Sequence, residues 1–206
     1  MSGGEKLGLF GGSFDPIHAG HVAPVQDARA AAGLDRVLYL PTARPPHKPG
    51  REFAPPWRRF AMVELALLDE EGLYASAREL IPGREVYTID TVEALAAELP
   101  DAELHLLIGS DSLAELDTWR RWRELIERVR LVVMIRPGSE PEAIAPDLPP
   151  ELRSRLAAGE IRCVARRPLR WSATALRETL KRGGEPPAGA LHPQVLDYIR
   201  KYRLYR

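Results

Sequence analysis

The sequence predicts an α/β fold: a doubly wound, Rossmann-like parallel sheet with a C-terminal helical portion. Three observations carry the prediction. Apolar runs of strand length alternate with helix-like segments along the chain, the pattern of a parallel sheet covered by helices. The 206 residues, 45% of them hydrophobic, supply the core of one domain, read as spanning 1–206. A Gly-Gly pair closes the first strand just before a helix, at the sheet end where such folds leave a crevice.

The elements follow in order. Residues 7–12 (LGLFGG) open as a strand, 20–32 read as an alanine-rich helix despite Pro24, and 36–41 (RVLYLP) form the second strand. Five prolines make 44–56 a loop, yet Pro55 and Pro56 suit a helix start, where the missing N–H is no loss. The following stretch, 58–71, carries Phe60, Met62, Val63, Leu65, Ala66, Leu67 and Leu68. A third strand is expected around 73–80. Thr88 is placed to N-cap a helix over 89–99, which Pro100 closes. The apolar run 103–109 is the fourth strand and 118–128 the next helix. Residues 130–138 read as a buried strand with a turn, and 139–150 as a proline-rich loop. A short helix over 152–158, a sixth strand over 160–165, a helix over 173–182 ended by Gly183 and Gly184, and a last helix over 195–202 behind Pro193 complete the chain.

Composition narrows the function. Lysine and arginine total 29, as do aspartate and glutamate, so no overall charge advertises a nucleic-acid coat. The balance is uneven, however: residues 166–206 hold ten basic side chains against three acidic ones, giving a basic C-terminal face suited to phosphates or simply to solvent. No apolar run approaches a membrane span and no secretory leader precedes the first strand, so a cytoplasmic protein without a membrane partner is expected. Cys163 is the single cysteine, which excludes an internal disulfide, a redox dithiol and a cysteine zinc site; it is expected as filler in a buried strand. Room is left for a homo-oligomer without specifying one.

The chemistry concentrates in GLFGGSFDPIHAGH, residues 8–21. Gly11 and Gly12 after a strand let the backbone turn sharply and approach a ligand, while the next helix presents unpaired N–H groups, the outline of a phosphate site. The pattern is neither GxGxxG nor the lysine-bearing P-loop, so hydride-transfer and kinase readings lack their motif. His18 and His21, three apart at the helix entry, share one face, where two ring donors can meet one phosphate. Zinc ligation is the competing reading, but no carboxylate or cysteine completes a set and HExxH is absent.

This segment resembles the GG(T/S)FDPxHxGH signature of the nucleotidyltransferase superfamily. A second box, WSATALR at 171–177, is similar to that superfamily's SSTxIR element. PPHKP (45–49), VYTIDT (86–91), LIGSDSLAELDTWRRW (107–122) and LHPQVLDYIRKYRLY (191–205) are similar to segments of the bacterial nicotinate-nucleotide adenylyltransferases, in order along nearly the whole chain. Three departures are Ala173 for the second serine of the SST box, Val86 before Tyr87, and Pro82 where an arginine is common.

The resemblance implies adenylyl transfer from ATP to nicotinate mononucleotide, with Mg²⁺ carried mainly by substrate phosphates. It assigns His18, His21 and Arg177 to catalysis. Gly11, Gly12, Ser13, Gly109, Asp111, Arg136, Ser172 and Thr174 would bind ATP; Lys48, Tyr87, Thr88 and Trp119 would bind the mononucleotide. Ser172 fits as an N-cap, with Thr174 in the first turn and Arg177 one turn on. Asp111 can accept ribose hydroxyls or merely serve a helix N-terminus, whereas Trp122 reads as core and Asp15 as a brace for the turn. Another small phosphate acceptor such as phosphopantetheine, or a noncatalytic nucleotide-binding module, remains the alternative.

Overall fold

Six parallel strands carry the described residues, which are 4–43, 52–81, 83–135, 141–165 and 171–206 of a computed structural model. These are β1 (Lys6–Gly12), β2 (Arg36–Pro41), β3 (Leu73–Ala75), β4 (Glu103–Gly109), β5 (Arg130–Ile135) and β6 (Arg162–Ala165). They lie in the order β3-β2-β1-β4-β5-β6, so the chain returns to the middle after β3 and grows the other way, the doubly wound order expected. Leu9 of β1 stands beside Leu38 on one side and Leu106 on the other.

Alternation along the strands divides the core in two. Leu7, Leu9, Leu104, Leu106, Leu131 and Val133 point into one cluster; Val37, Tyr39, Leu107, Val132 and Met134 point into the other. The helices α1 (Ala19–Ala32) and α2 (Pro56–Leu67) cover the second face, adding Val25, Ala28, Met62 and Val63. On the first face lie α3 (Thr88–Glu98), α4 (Ser110–Ala114) and α5 (Trp122–Arg128), adding Ile89, Val92, Leu113 and Leu125. After α6 (Pro141–Ile144), Leu152 of α7 (Pro150–Ala157) joins the first cluster. The C-terminal helices α8 (Ala173–Lys181) and α9 (Pro193–Lys201) return to the second with Leu176, Val195 and Ile199. Each such buried aliphatic side chain contributes about 1.5–3 kcal/mol by leaving water. No helix among the described residues is long and apolar enough to cross a membrane.

Several elements depart from expectation for local reasons. β3 ends at Ala75, not near residue 80: its partner β2 ends at Pro41, which has no N–H to extend the ladder, and Leu80 closes a turn onto Ala77 O instead. The helix expected over 118–128 is broken; a 3₁₀ turn covers Leu116–Thr118, and Arg121 at φ 52° separates it from α5. The segment expected as proline-rich loop contains α6, and Pro150 opens α7, because proline at a first turn starts helices readily. Thr88 begins α3 rather than capping it: Tyr87 is the N-cap, and Asp90 Oδ2 accepts the Tyr87 N–H at 3.2 Å. Cys163 is half-buried in β6, not fully buried. Short α4, directly after β4, lies where the sequence reading has no element.

Candidate active site

The sharp turn expected at Gly11-Gly12 lies farther along. Both glycines stay in β1, paired with Leu40 and Pro41 of β2. The chain reverses instead through Phe14 at φ 45° and a cis bond between Asp15 and Pro16. Gly12 is needed for space: a Cβ there would lie 2.8 Å from Cζ of Phe14, whose ring is wedged among Phe10, Tyr39 and His21. A Cβ on Gly11 would meet nothing within 4 Å.

Beyond this turn His18 is the N-cap of α1 and His21 its third residue. Gly20 N–H donates to His18 Nδ1 at 3.0 Å, and His18 N–H donates to His21 Nδ1 at 3.3 Å. The imidazoles thus do the work that a serine and a glutamate do in an ordinary capping box, satisfying N–H groups that the helix leaves open. A neutral ring that accepts at Nδ1 carries its proton on Nε2, so each ring keeps a donor directed away from the backbone. Burial pushes the His18 pKa down to about 4, and the ring is neutral near pH 7.

Both histidines line a cavity of about 460 Å³. Phe10 and Ser13 reach it from the end of β1, Gly109 from β4 and Met134 from β5, while Trp171, Ser172, Ala173 and Thr174 close it from the start of α8. It therefore sits at the carboxyl ends of the strands, where the sheet order reverses between β1 and β4. The two boxes of the sequence meet across one space. Ser172 caps α8, accepting the Ala175 N–H at 3.2 Å. Arg177 donates to Thr174 Oγ1 at 3.0 Å and to the Asp15 carbonyl at 2.5 Å, tying α8 to the β1–α1 turn.

Beneath the turn lies a buried polar hub. Asp15, 1% exposed, accepts at Oδ1 from the Ala54 N–H (3.1 Å) and the Tyr205 hydroxyl (2.7 Å). Arg59, 0% exposed, donates to the carbonyls of Ser13, Thr42, Ala43 and Ala54 at 2.6–3.0 Å. One guanidinium thereby fixes the ends of β1 and β2 and the approach to α2. The sequence signals Arg59 only as a charge at the apolar spacing of Met62, Val63 and Ala66.

The remaining candidates divide. Asp111 is exposed in the first turn of α4, two residues beyond cavity-lining Gly109. Tyr87, Thr88 and Trp119 are half-buried; Tyr87 and Trp119 pack on the cluster behind α3 and α5, which includes Trp122 as expected. The Arg120 guanidinium lies 4.8 Å from the Tyr87 ring centroid. Lys48 and Arg136, and with them Pro82, fall outside the described residues. Glu79 is a buried carboxyl that accepts from Thr91 Oγ1 at 3.0 Å; burial lifts its pKa to about 7.

A model of the cytidylyltransferase-like family matches residues 9–179. A protein of Aeromonas salmonicida named probable nicotinate-nucleotide adenylyltransferase is 41% identical over 214 residues, covering 97% of each chain. A Solibacter usitatus protein of the same name is 43% identical over 202 residues, 97% of this chain and 99% of that one. In fold, the Plasmodium falciparum nicotinic acid mononucleotide adenylyltransferase, solved with NaAD, superposes with a TM-score of 0.74 over 98% of this chain and 97% of its own, at 17% identity.

Proposed function

The chain belongs to the nicotinate-nucleotide adenylyltransferases within the cytidylyltransferase-like family, and from that membership we infer that it makes nicotinate adenine dinucleotide from ATP and nicotinate mononucleotide. A phosphate oxygen of the mononucleotide attacks the α-phosphorus of ATP in line, the bond to the bridging oxygen breaks, and pyrophosphate leaves. Little covalent work falls to the protein, so holding the two phosphates in line and stabilising charge as it moves supply the rate.

The observation that carries this reading is the imidazole capping box facing the start of α8 across one cavity. In this assignment the Nε2–H donors of His18 and His21 meet the oxygens on which charge grows, while Ser172, Thr174 and Arg177 hold the β- and γ-phosphates. Gly11 leaves the end of β1 open to the nucleotide, Gly12 makes room for the Phe14 ring behind it, Ser13 stands at the edge, and Gly109, Asp111 and Arg136 serve the adenosine half. Tyr87, Thr88, Trp119 and Lys48 receive the mononucleotide.

Among the described residues no group of three His, Cys, Asp or Glu side chains stands ready for a metal. The lining offers hydroxyls, imidazoles and a single carboxylate, Asp15, which fits Mg²⁺ arriving on phosphate oxygens and keeping its waters, not one held in a carboxylate cage. When bound, the ion neutralises polyphosphate charge.

The test is to incubate the purified protein with ATP, magnesium and either nicotinate mononucleotide or phosphopantetheine, and to identify products by mass. Nicotinate adenine dinucleotide and pyrophosphate are expected. Product from phosphopantetheine alone overturns the acceptor, and no product from either overturns the enzyme reading.

A further inference from the structure

We propose that Tyr205, just beyond α9, is a positioning residue that acts through Asp15 on Arg177 and thereby sets ATP binding. The inference deepens the adenylyltransferase reading and rests on it.

The geometry begins with the last helix. After α9 ends at Lys201, the chain turns back on itself with Arg203 at φ 52° and Tyr205 at φ 62°, both in the left-handed region that non-glycine residues avoid. Two such residues within three positions require a contact that holds them. For Tyr205 that contact is its hydroxyl, which donates to Asp15 Oδ1 at 2.7 Å across 190 residues of sequence. Burial and the neighbouring Asp15 carboxylate push the phenol pKa up, so the group keeps its proton and donates at neutral pH.

Asp15 passes the constraint onward. Its carbonyl accepts from Arg177 at 2.5 Å, and the same guanidinium lies 3.9 Å from Asp15 Oδ2. Arg177 in turn donates to Thr174, which lines the cavity. Residue 15 therefore stands between Tyr205 on one side and the proposed triphosphate clamp on the other. An ordinary surface tyrosine would need neither the strained backbone nor an aspartate that is 1% exposed. Tyr205 does not line the cavity, whereas Asp15 and Thr174 do, so any effect of the phenol on substrate has to pass through Asp15.

The experiment is a double-mutant cycle in the full chain: Tyr205→Phe, Arg177→Ala and the pair, with kcat and KM measured for each substrate and melting followed in parallel. Tyr205→Phe is expected to raise the KM for ATP about three- to tenfold, the scale of one hydrogen bond, with the KM for the mononucleotide unchanged. In the Arg177→Ala background the same change should add nothing, because the route is already cut. A chain ending at Leu204 should reproduce the ATP defect. Equal effects on both substrates, or additive losses in the double variant, overturn the proposal. An Arg177→Ala protein with normal ATP kinetics instead removes the underlying role of Arg177, so the two failures are told apart.

Discussion

The His21 imidazole accepts the backbone N–H of His18 at 3.3 Å, and the two ring centroids lie 4.0 Å apart. In each histidine one nitrogen completes a helix cap while the other carries its proton away from the backbone. If that second nitrogen meets substrate, as proposed, substitutions can separate folding from function at both positions.

His21→Ala should lower kcat by roughly 10²–10³, the usual loss for a donor that meets charge in the transition state. His18→Ala should also weaken the α1 cap, by about 0.5–2 kcal/mol. Asparagine can accept the Gly20 N–H in place of Nδ1, so His18→Asn is expected to recover melting temperature without recovering turnover. If His18→Asn is as active as the parent, the ring is a cap and nothing more.

Why this pair was legible while Arg59 was not follows from the distance over which each acts. His18, His21 and the glycines sit within one local run whose chemistry depends on neighbours in sequence, and Ser172 with Thr174 form another. The parallel sheet is legible from local signals as well, since strand runs alternate with helical ones, whereas the order of its strands is set by long-range pairing. Arg59 and Tyr205 reach backbone or side-chain atoms up to 46 and 190 residues away, and no periodicity encodes such partners. Thr88 looked like a cap because threonine often is one; the acidic Asp90 three residues after Tyr87 took the first free N–H instead.

Arg59→Ala is expected to cost roughly 3–5 kcal/mol, because it strips a buried donor from four carbonyls and a nearby cation from Asp15. Lysine keeps the charge but is a single point, unable to reach carbonyls that a planar fork spans, so Arg59→Lys should fall between. Urea midpoints at constant slope measure both. A change below about 0.5 kcal/mol for alanine would show that the loops hold without the guanidinium.

Opposed titrations should flatten stability in mildly acidic solution. Glu79 ionises near 4.5 when unfolded and near 7 when folded, so its contribution is present below pH 4.5 and is lost as pH rises through 7. His18 runs the other way: its folded value near 4 lies below 6.5, so stability is present above pH 6.5 and is lost as pH falls through 4. Glu79→Gln copies the protonated acid and still accepts from Thr91. The variant and parent should melt together near pH 4.5 and separate in the variant's favour by up to about 3 kcal/mol above pH 8. A constant offset across that range would mean that Glu79 is ionised throughout.

The last expectation concerns the acceptor, and it turns on the N-terminus of α3. A helix start attracts an anion by about 0.3–2 kcal/mol, so a nicotinate carboxylate near Tyr87 and Thr88 gains at most about 30-fold over a carboxamide from that source. Asp90 already places a carboxylate oxygen 3.2 Å from the Tyr87 nitrogen, and its charge opposes the incoming one. Asp90→Asn keeps an oxygen for the Tyr87 N–H and removes the charge. The ratio of kcat/KM for nicotinate mononucleotide to that for its nicotinamide counterpart should therefore rise, by roughly two- to fivefold for partly screened charges several ångströms apart. Repeating the comparison at high salt should shrink the gain, as screening requires. An unmoved ratio, in a variant that melts normally, would place the pyridine carboxylate away from α3 while leaving adenylyl transfer untouched.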